Sequence, residues 1–184
     1  MTHRRHGRPA SPTTLGDLVG TVDRDLVEAA EAASEAFRRK KIRHVLVGGL
    51  AVGLRGYPHH TNDVDFLVDD DAFDFRGPIA CHKPGLPTRY KDVGIDWVSL
   101  EPHERTALDE FLTVPDRGDV PVIPVEPLVA MKLVAGRQKD QADVVELVKA
   151  GADVQAIESF VRGNFPKKLP LLYRLLNQAL EEED

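Results

Sequence analysis

At 184 residues the chain has room for one domain, with or without an appendage, and 42% apolar residues suffice for an ordinary core. A formal net charge of −6 argues against a basic surface that coats nucleic acid, while leaving room for a local contact with a structured RNA. The single cysteine, Cys81, excludes an internal disulfide framework and suits a reducing compartment.

No apolar run is long enough to cross a bilayer. The basic N-terminus, Met1 to Pro9, lacks the apolar stretch of a secretory signal. A soluble cytoplasmic protein with no membrane partner is therefore expected.

Residues 1–14 are basic and rich in Pro, Ser and Thr, which reads as a flexible tail. Leu18, Val22, Leu26, Ala29, Ala33 and Phe37 recur near helical spacing, predicting a helix from Leu15 to about Lys40. A strand follows at His44–Val47, and Gly48-Gly49 opens a helix reaching about Arg55. Val64–Val68 is a second strand, and Asp69-Asp70-Asp71 a turn or short helix. The Pro- and Gly-rich stretch 76–91 has no clear element. Val93–Leu100 is a third strand, followed by a helix near Arg105–Phe111. Val120–Val125 reads as a strand confined to an edge, because Pro121 and Pro124 cannot donate to a ladder. Helices are expected at Pro127–Arg137, Asp140–Ala150, Val154–Arg162 and Pro170–Leu180, with Gly151 as a stop signal. The order suggests an α/β or α+β domain over 15–151, a small mixed sheet flanked by helices, and a helical C-terminal extension of the same domain over 152–184.

The chemistry concentrates between Val45 and Val68. An apolar strand runs into Gly48-Gly49, where glycine lets backbone approach a ligand and a following helix start can face a phosphate. The next strand carries Asp63 and Asp65 with Val64 and Phe66 interleaved, so the two carboxylates share one face. Taken alone, such a pair also suits a strand with one solvated face. Acidic residues are disfavoured in strands, however, and side-by-side carboxylates repel unless a cation such as Mg²⁺ offsets them. Asp96, inside Ile95-Asp96-Trp97-Val98, reaches the same point if its strand lies beside the second. Three carboxylates are then enough for a two-metal site.

These residues resemble the nucleotidyltransferase (polymerase-beta-like) superfamily, whose signature is Gly-Gly or Gly-Ser, a gap, Asp-apolar-Asp and a later acidic residue. Here it reads Val47-Gly48-Gly49, Asp63-Val64-Asp65 and Asp96. The match is closer to the branch related to AbiEii toxins of bacterial toxin–antitoxin systems. Gly48-Gly49-Leu50-Ala51, Leu54-Arg55-Gly56 and Thr61-Asn62-Asp63-Val64-Asp65 follow that branch, as do Lys132 on a helix and Arg137-Gln138-Lys139-Asp140-Gln141-Ala142-Asp143. His60 departs from it, standing where the branch often has Arg.

The resemblance implies a nucleotidyltransferase fold and transfer of a nucleoside monophosphate from an NTP to a hydroxyl, with pyrophosphate leaving. Asp63, Asp65 and Asp96 would hold Mg²⁺ or Mn²⁺, with Asp96 also taking the acceptor's proton. Gly48, Gly49 and Thr61 would lie at the nucleotide, and Lys132 would reach its triphosphate. Arg55 has two readings, a phosphate contact or a pair with an acidic residue. Asp140 and Asp143 either order Lys132 or act near the acceptor, with an N-cap and a helix-face charge as plainer alternatives. The implied acceptor is a tRNA end or a protein side chain, with a cognate antitoxin as partner. A small-molecule (antibiotic-type) nucleotidyltransferase and a non-catalytic nucleotide- or partner-binding module remain the alternatives. His59-His60 lacks the companions of a zinc site, and Cys81-His82 lacks an orienting third group for a nucleophile.

Overall fold

The computed structural model describes residues 15–18, 22–76 and 79–182. The basic tail expected over 1–14 lies outside these residues. Among the described residues the architecture is mixed α/β, with seven α-helices and a four-stranded sheet in the order β1-β2-β6-β5. The sheet strands are β1 (His44–Val47), β2 (Asp63–Val68), β5 (Arg89–Tyr90) and β6 (Val93–Ser99). β2 runs antiparallel to β1 and parallel to β6, while β5 closes the far edge antiparallel to β6.

Alternation along the strands gives the sheet two different faces. On one, Leu46, Val64, Phe66, Ile95 and Trp97 pack against α1 (Arg24–Arg39), which contributes Leu26, Ala29, Ala30, Ala33 and Phe37. On the other, Val45, Val47 and Leu67 join a core with α2 (Gly48–Leu54) and the C-terminal helices. These helices are α4 (Val125–Ala135), α5 (Gln138–Lys149), α6 (Val154–Asn164) and α7 (Leu169–Glu181). Leu128, Leu133, Val144, Ile157, Val161, Leu172 and Leu175 fill that second core. Asp63, Asp65 and Asp96 project from this second face, between the sheet and α4/α5.

The first helix is shorter than its apolar stripe predicts. α1 begins at Arg24 because Asp23 caps it, accepting from the Asp25 N–H at 2.9 Å, and Leu15–Leu18 forms a separate 3₁₀ turn. The strand expected at Val120–Val125 is also corrected. The segment runs beside β1 with a single parallel bridge between Leu46 and Val122, using Leu46 N to Pro121 O and Ile123 N to Leu46 O. Pro121 and Pro124 have no N–H to extend the ladder. The unplaced 76–91 region carries a hairpin half, since β3 (Phe73–Arg76) pairs antiparallel with β4 (Ile79–His82), and it ends in β5. α3 (Pro102–Leu108) starts earlier than expected. Pro102 sits at its start, and the Glu101 N–H donates to the Glu104 carboxylate at 3.0 Å. No described helix is long and apolar enough to cross a membrane.

A three-carboxylate cleft between sheet and helices

β2 and β6 pair in parallel with Asp65 opposite Asp96 and Asp63 opposite Gly94. This register brings the two acidic strands to one point. One carboxylate oxygen from each of Asp63, Asp65 and Asp96 lies within 4.8 Å of the others. The cluster lies in a cleft of about 660 Å³ whose walls include Gly48, Gly49, Thr61, Val98, Lys132 and Lys139. Asp63 and Asp65 are partly buried and Asp96 is exposed, so the cluster has a closed side and an open one. Burial pushes the Asp65 carboxyl up to about 6, and the neighbouring charges of Asp63 and Asp96 push in the same direction.

The glycine pair is explained by what faces it. Gly48 has φ +67° and follows the extended Val47 into α2. A Cβ on Gly48 would overlap the Asp65 carboxylate, lying 2.6 Å from its Cγ. A Cβ on Gly49 would lie 2.8 Å from Thr61 Oγ1. The pair therefore makes room for a carboxylate and for the residue beside it. Thr61 donates its hydroxyl to Asp63 Oδ1 at 3.1 Å, which aims that carboxylate.

Lys132 lies on a helix that is apolar nearly all round, and it is itself buried. Its Nζ donates to Asp143 Oδ2 at 2.7 Å and to Asp140 Oδ1 at 3.3 Å. Asp140, fully buried, also accepts from Arg137 Nε at 2.6 Å and from its terminal nitrogen at 3.2 Å. Burial raises the Asp140 carboxyl, but the Arg137 hydrogen bond and the Lys132 charge more than offset this and hold it below its ordinary value. Of the two roles open to Asp140 and Asp143, ordering Lys132 is the one the contacts define. The N-cap of α5 is Arg137, so capping does not account for Asp140.

Arg55 is placed elsewhere. Its guanidinium donates to the carbonyls of Ile123 and Val122, both at 2.8 Å. These donors tie α2 to the proline-bearing edge segment, whose own pairing with β1 is a single bridge, and the charge of Glu126 also acts on the guanidinium. Two further residues of the cleft, Tyr57 and His59, are not among those the sequence pointed to, His59 being weighed there only as a zinc ligand. Their rings stack at 5.2 Å, and His59 Nε2 lies 3.8 Å from Asp143 Oδ1. The available signal was their i, i+2 spacing around Pro58, which puts both rings on one side of an extended segment. His60 is exposed at the rim. Cys81 and His82 lie on β4, outside the cleft.

No family model matches the chain, and no curated protein matches it either.

Proposed function

We propose that the protein is a divalent-metal-dependent nucleotidyltransferase with a polymerase-beta-like fold, moving a nucleoside monophosphate from an NTP to a hydroxyl acceptor. The observation that carries this reading is the convergence of Asp63, Asp65 and Asp96 within 4.8 Å beneath a glycine turn. The donor set fits Mg²⁺ or Mn²⁺. It consists of hard carboxylate oxygens, and their mutual repulsion and burial raise the Asp65 carboxyl, a cost that a cation offsets. When bound there, the metal supplies charge neutralisation and polarises phosphoryl oxygens.

The chain's own residues have distinct tasks in this reading. Asp63, Asp65 and Asp96 hold the metal. Thr61 aims Asp63 through its hydroxyl, and Gly48 leaves the space that Asp65 occupies. Asp96, on the open side, receives the acceptor's proton. The acceptor oxygen bonds to the α-phosphorus as the bond to the bridging oxygen breaks, and pyrophosphate leaves. Catalysis then rests mainly on positioning and electrostatics.

The test is incubation of the purified protein with Mg²⁺ and each α-³²P-labelled NTP, with total tRNA, cell lysate or small hydroxyl compounds as acceptors. Label moving onto a defined RNA or protein band, and lost in Asp65→Ala, supports transfer to the macromolecular acceptor of a toxin-like enzyme. Label on a small molecule supports the antibiotic-type alternative. Nucleotide binding without label transfer to any acceptor would leave a sensing module and sink the transferase reading.

A further inference from the structure

The cations lining the cleft are not equivalent. Lys132 is held between Asp140 and Asp143, and Arg137 chelates Asp140 through two nitrogens. Two positive and two negative charges thus cancel within one network, and the Lys132 side chain is only 10% exposed. Two of the three N–H donors of Lys132 are already engaged by carboxylates, which leaves one for any further partner. Lys139 differs in each respect. It is exposed, lines the same cleft, and has no ion pair or hydrogen bond among the described residues. It lies in the first turn of α5, where the helix dipole disfavours a cation. The charges of Lys132 and Lys139 both act on Asp65, that of Lys132 the more strongly.

Resting on the nucleotidyltransferase reading, we infer that Lys139 contacts the polyphosphate of the bound nucleotide. A cleft floored by three carboxylates repels a polyphosphate. An uncommitted ammonium beside that floor is a compact charge that can meet phosphate oxygens without breaking an existing pair. Lys132 neutralises two buried aspartates and fixes α5 against α4, and so holds Lys139 at the cleft.

The experiment is calorimetric titration of the full chain, first with Mn²⁺ alone and then with inorganic tripolyphosphate in saturating Mn²⁺. Lys139→Met is expected to weaken tripolyphosphate binding about tenfold or more while leaving the melting temperature unchanged and Mn²⁺ affinity equal to or modestly above that of the parent. Lys139→Arg, which keeps the charge, is expected to stay within about threefold of the parent. Lys83→Met, outside the cleft lining, controls for general loss of charge and is expected to bind as the parent does. Equal affinity in Lys139→Met and the parent overturns the inference, as does equal weakening by Lys83→Met. A parent that binds Mn²⁺ but no tripolyphosphate overturns it while the carboxylate site stands. A parent that binds neither removes the nucleotidyltransferase reading and this inference together.

Discussion

Gly48 and Asp65 occupy each other's space: the side chain that Gly48 lacks would sit where the Asp65 carboxylate lies. The positive φ of Gly48 lets β1 turn into α2 at that point, and the missing Cβ lets β2 carry an acid underneath. The backbone turn and the acidic cluster are therefore one structural decision.

Gly48→Ala is expected to destabilise the protein by about 2 kcal/mol, from the left-handed backbone and the overlap together, and to abolish Mn²⁺ binding. Gly94→Ala is the matched control. It lies opposite Asp63 in the register, but a Cβ there meets nothing within 4 Å, and it is expected to change either quantity little. Chemical denaturation and metal titration of the two variants check this.

Asp65 makes the metal-free protein sensitive to pH. Its carboxyl titrates near 3.8 in the unfolded chain and at about 6 when folded, so the folded state holds the proton more tightly. Stability from this group is complete below about pH 4, is lost as pH rises towards 6, and stays lost above. The difference is on the order of 3 kcal/mol at most. Asp65→Asn is expected to raise the melting temperature of the metal-free protein at pH 8 and to flatten its dependence between pH 4 and 6. Burial lowers the pKa of His44, which has the opposite sign and costs stability as pH falls below 6.5. An Asp65→Asn melting curve that follows the parent across that range would contradict the assignment.

Lys132→Met leaves Asp140 and Asp143 buried together without their shared cation. A loss of about 3–5 kcal/mol is expected, as for other broken buried pairs. The same substitution paired with Asp143→Leu removes one of the stranded charges and is expected to recover part of it. Urea denaturation of the single and double variants measures both values, and additive losses would contradict the coupling.

Arg55→Met should loosen the 120–124 edge without touching the carboxylates. Two hydrogen bonds to carbonyls of Val122 and Ile123 are lost, for an expected cost of about 2–4 kcal/mol. Hydrogen exchange at Ile123, whose N–H bonds to Leu46 O at 3.1 Å, is expected to accelerate, with Mn²⁺ affinity unchanged. A large fall in metal affinity would instead return Arg55 to the site.

Much of this arrangement is legible from local pattern. The period-2 alternation of Asp63-Val64-Asp65-Phe66 fixes which side chains share a face, whatever the sheet does. The apolar surroundings of Lys132 already require a partner for it. What the chain hides are choices between chemically equal partners. Arg55 satisfies its donors on a carboxylate, a phosphate or a backbone carbonyl equally well by type, and only the proline-poor hydrogen bonding of the 120–124 edge selects the carbonyls. The late start of α1 is likewise decided by the Asp23 cap, which an apolar stripe continuing upstream to Leu18 conceals.

The sequence by itself determined that Asp63 and Asp65 stand together on one strand face and that a glycine turn precedes them, because both follow from dihedral and side-chain rules acting within a few residues. Only the tertiary structure decided that Asp96 meets Asp65, that Lys132 belongs to Asp140 and Asp143, and that Lys139 has no ion pair among the described residues. Those outcomes depend on parallel pairing of β2 with β6 and on the packing of α4 against α5. Such long-range registers are set by the burial of whole faces, and no short stretch of chain encodes that.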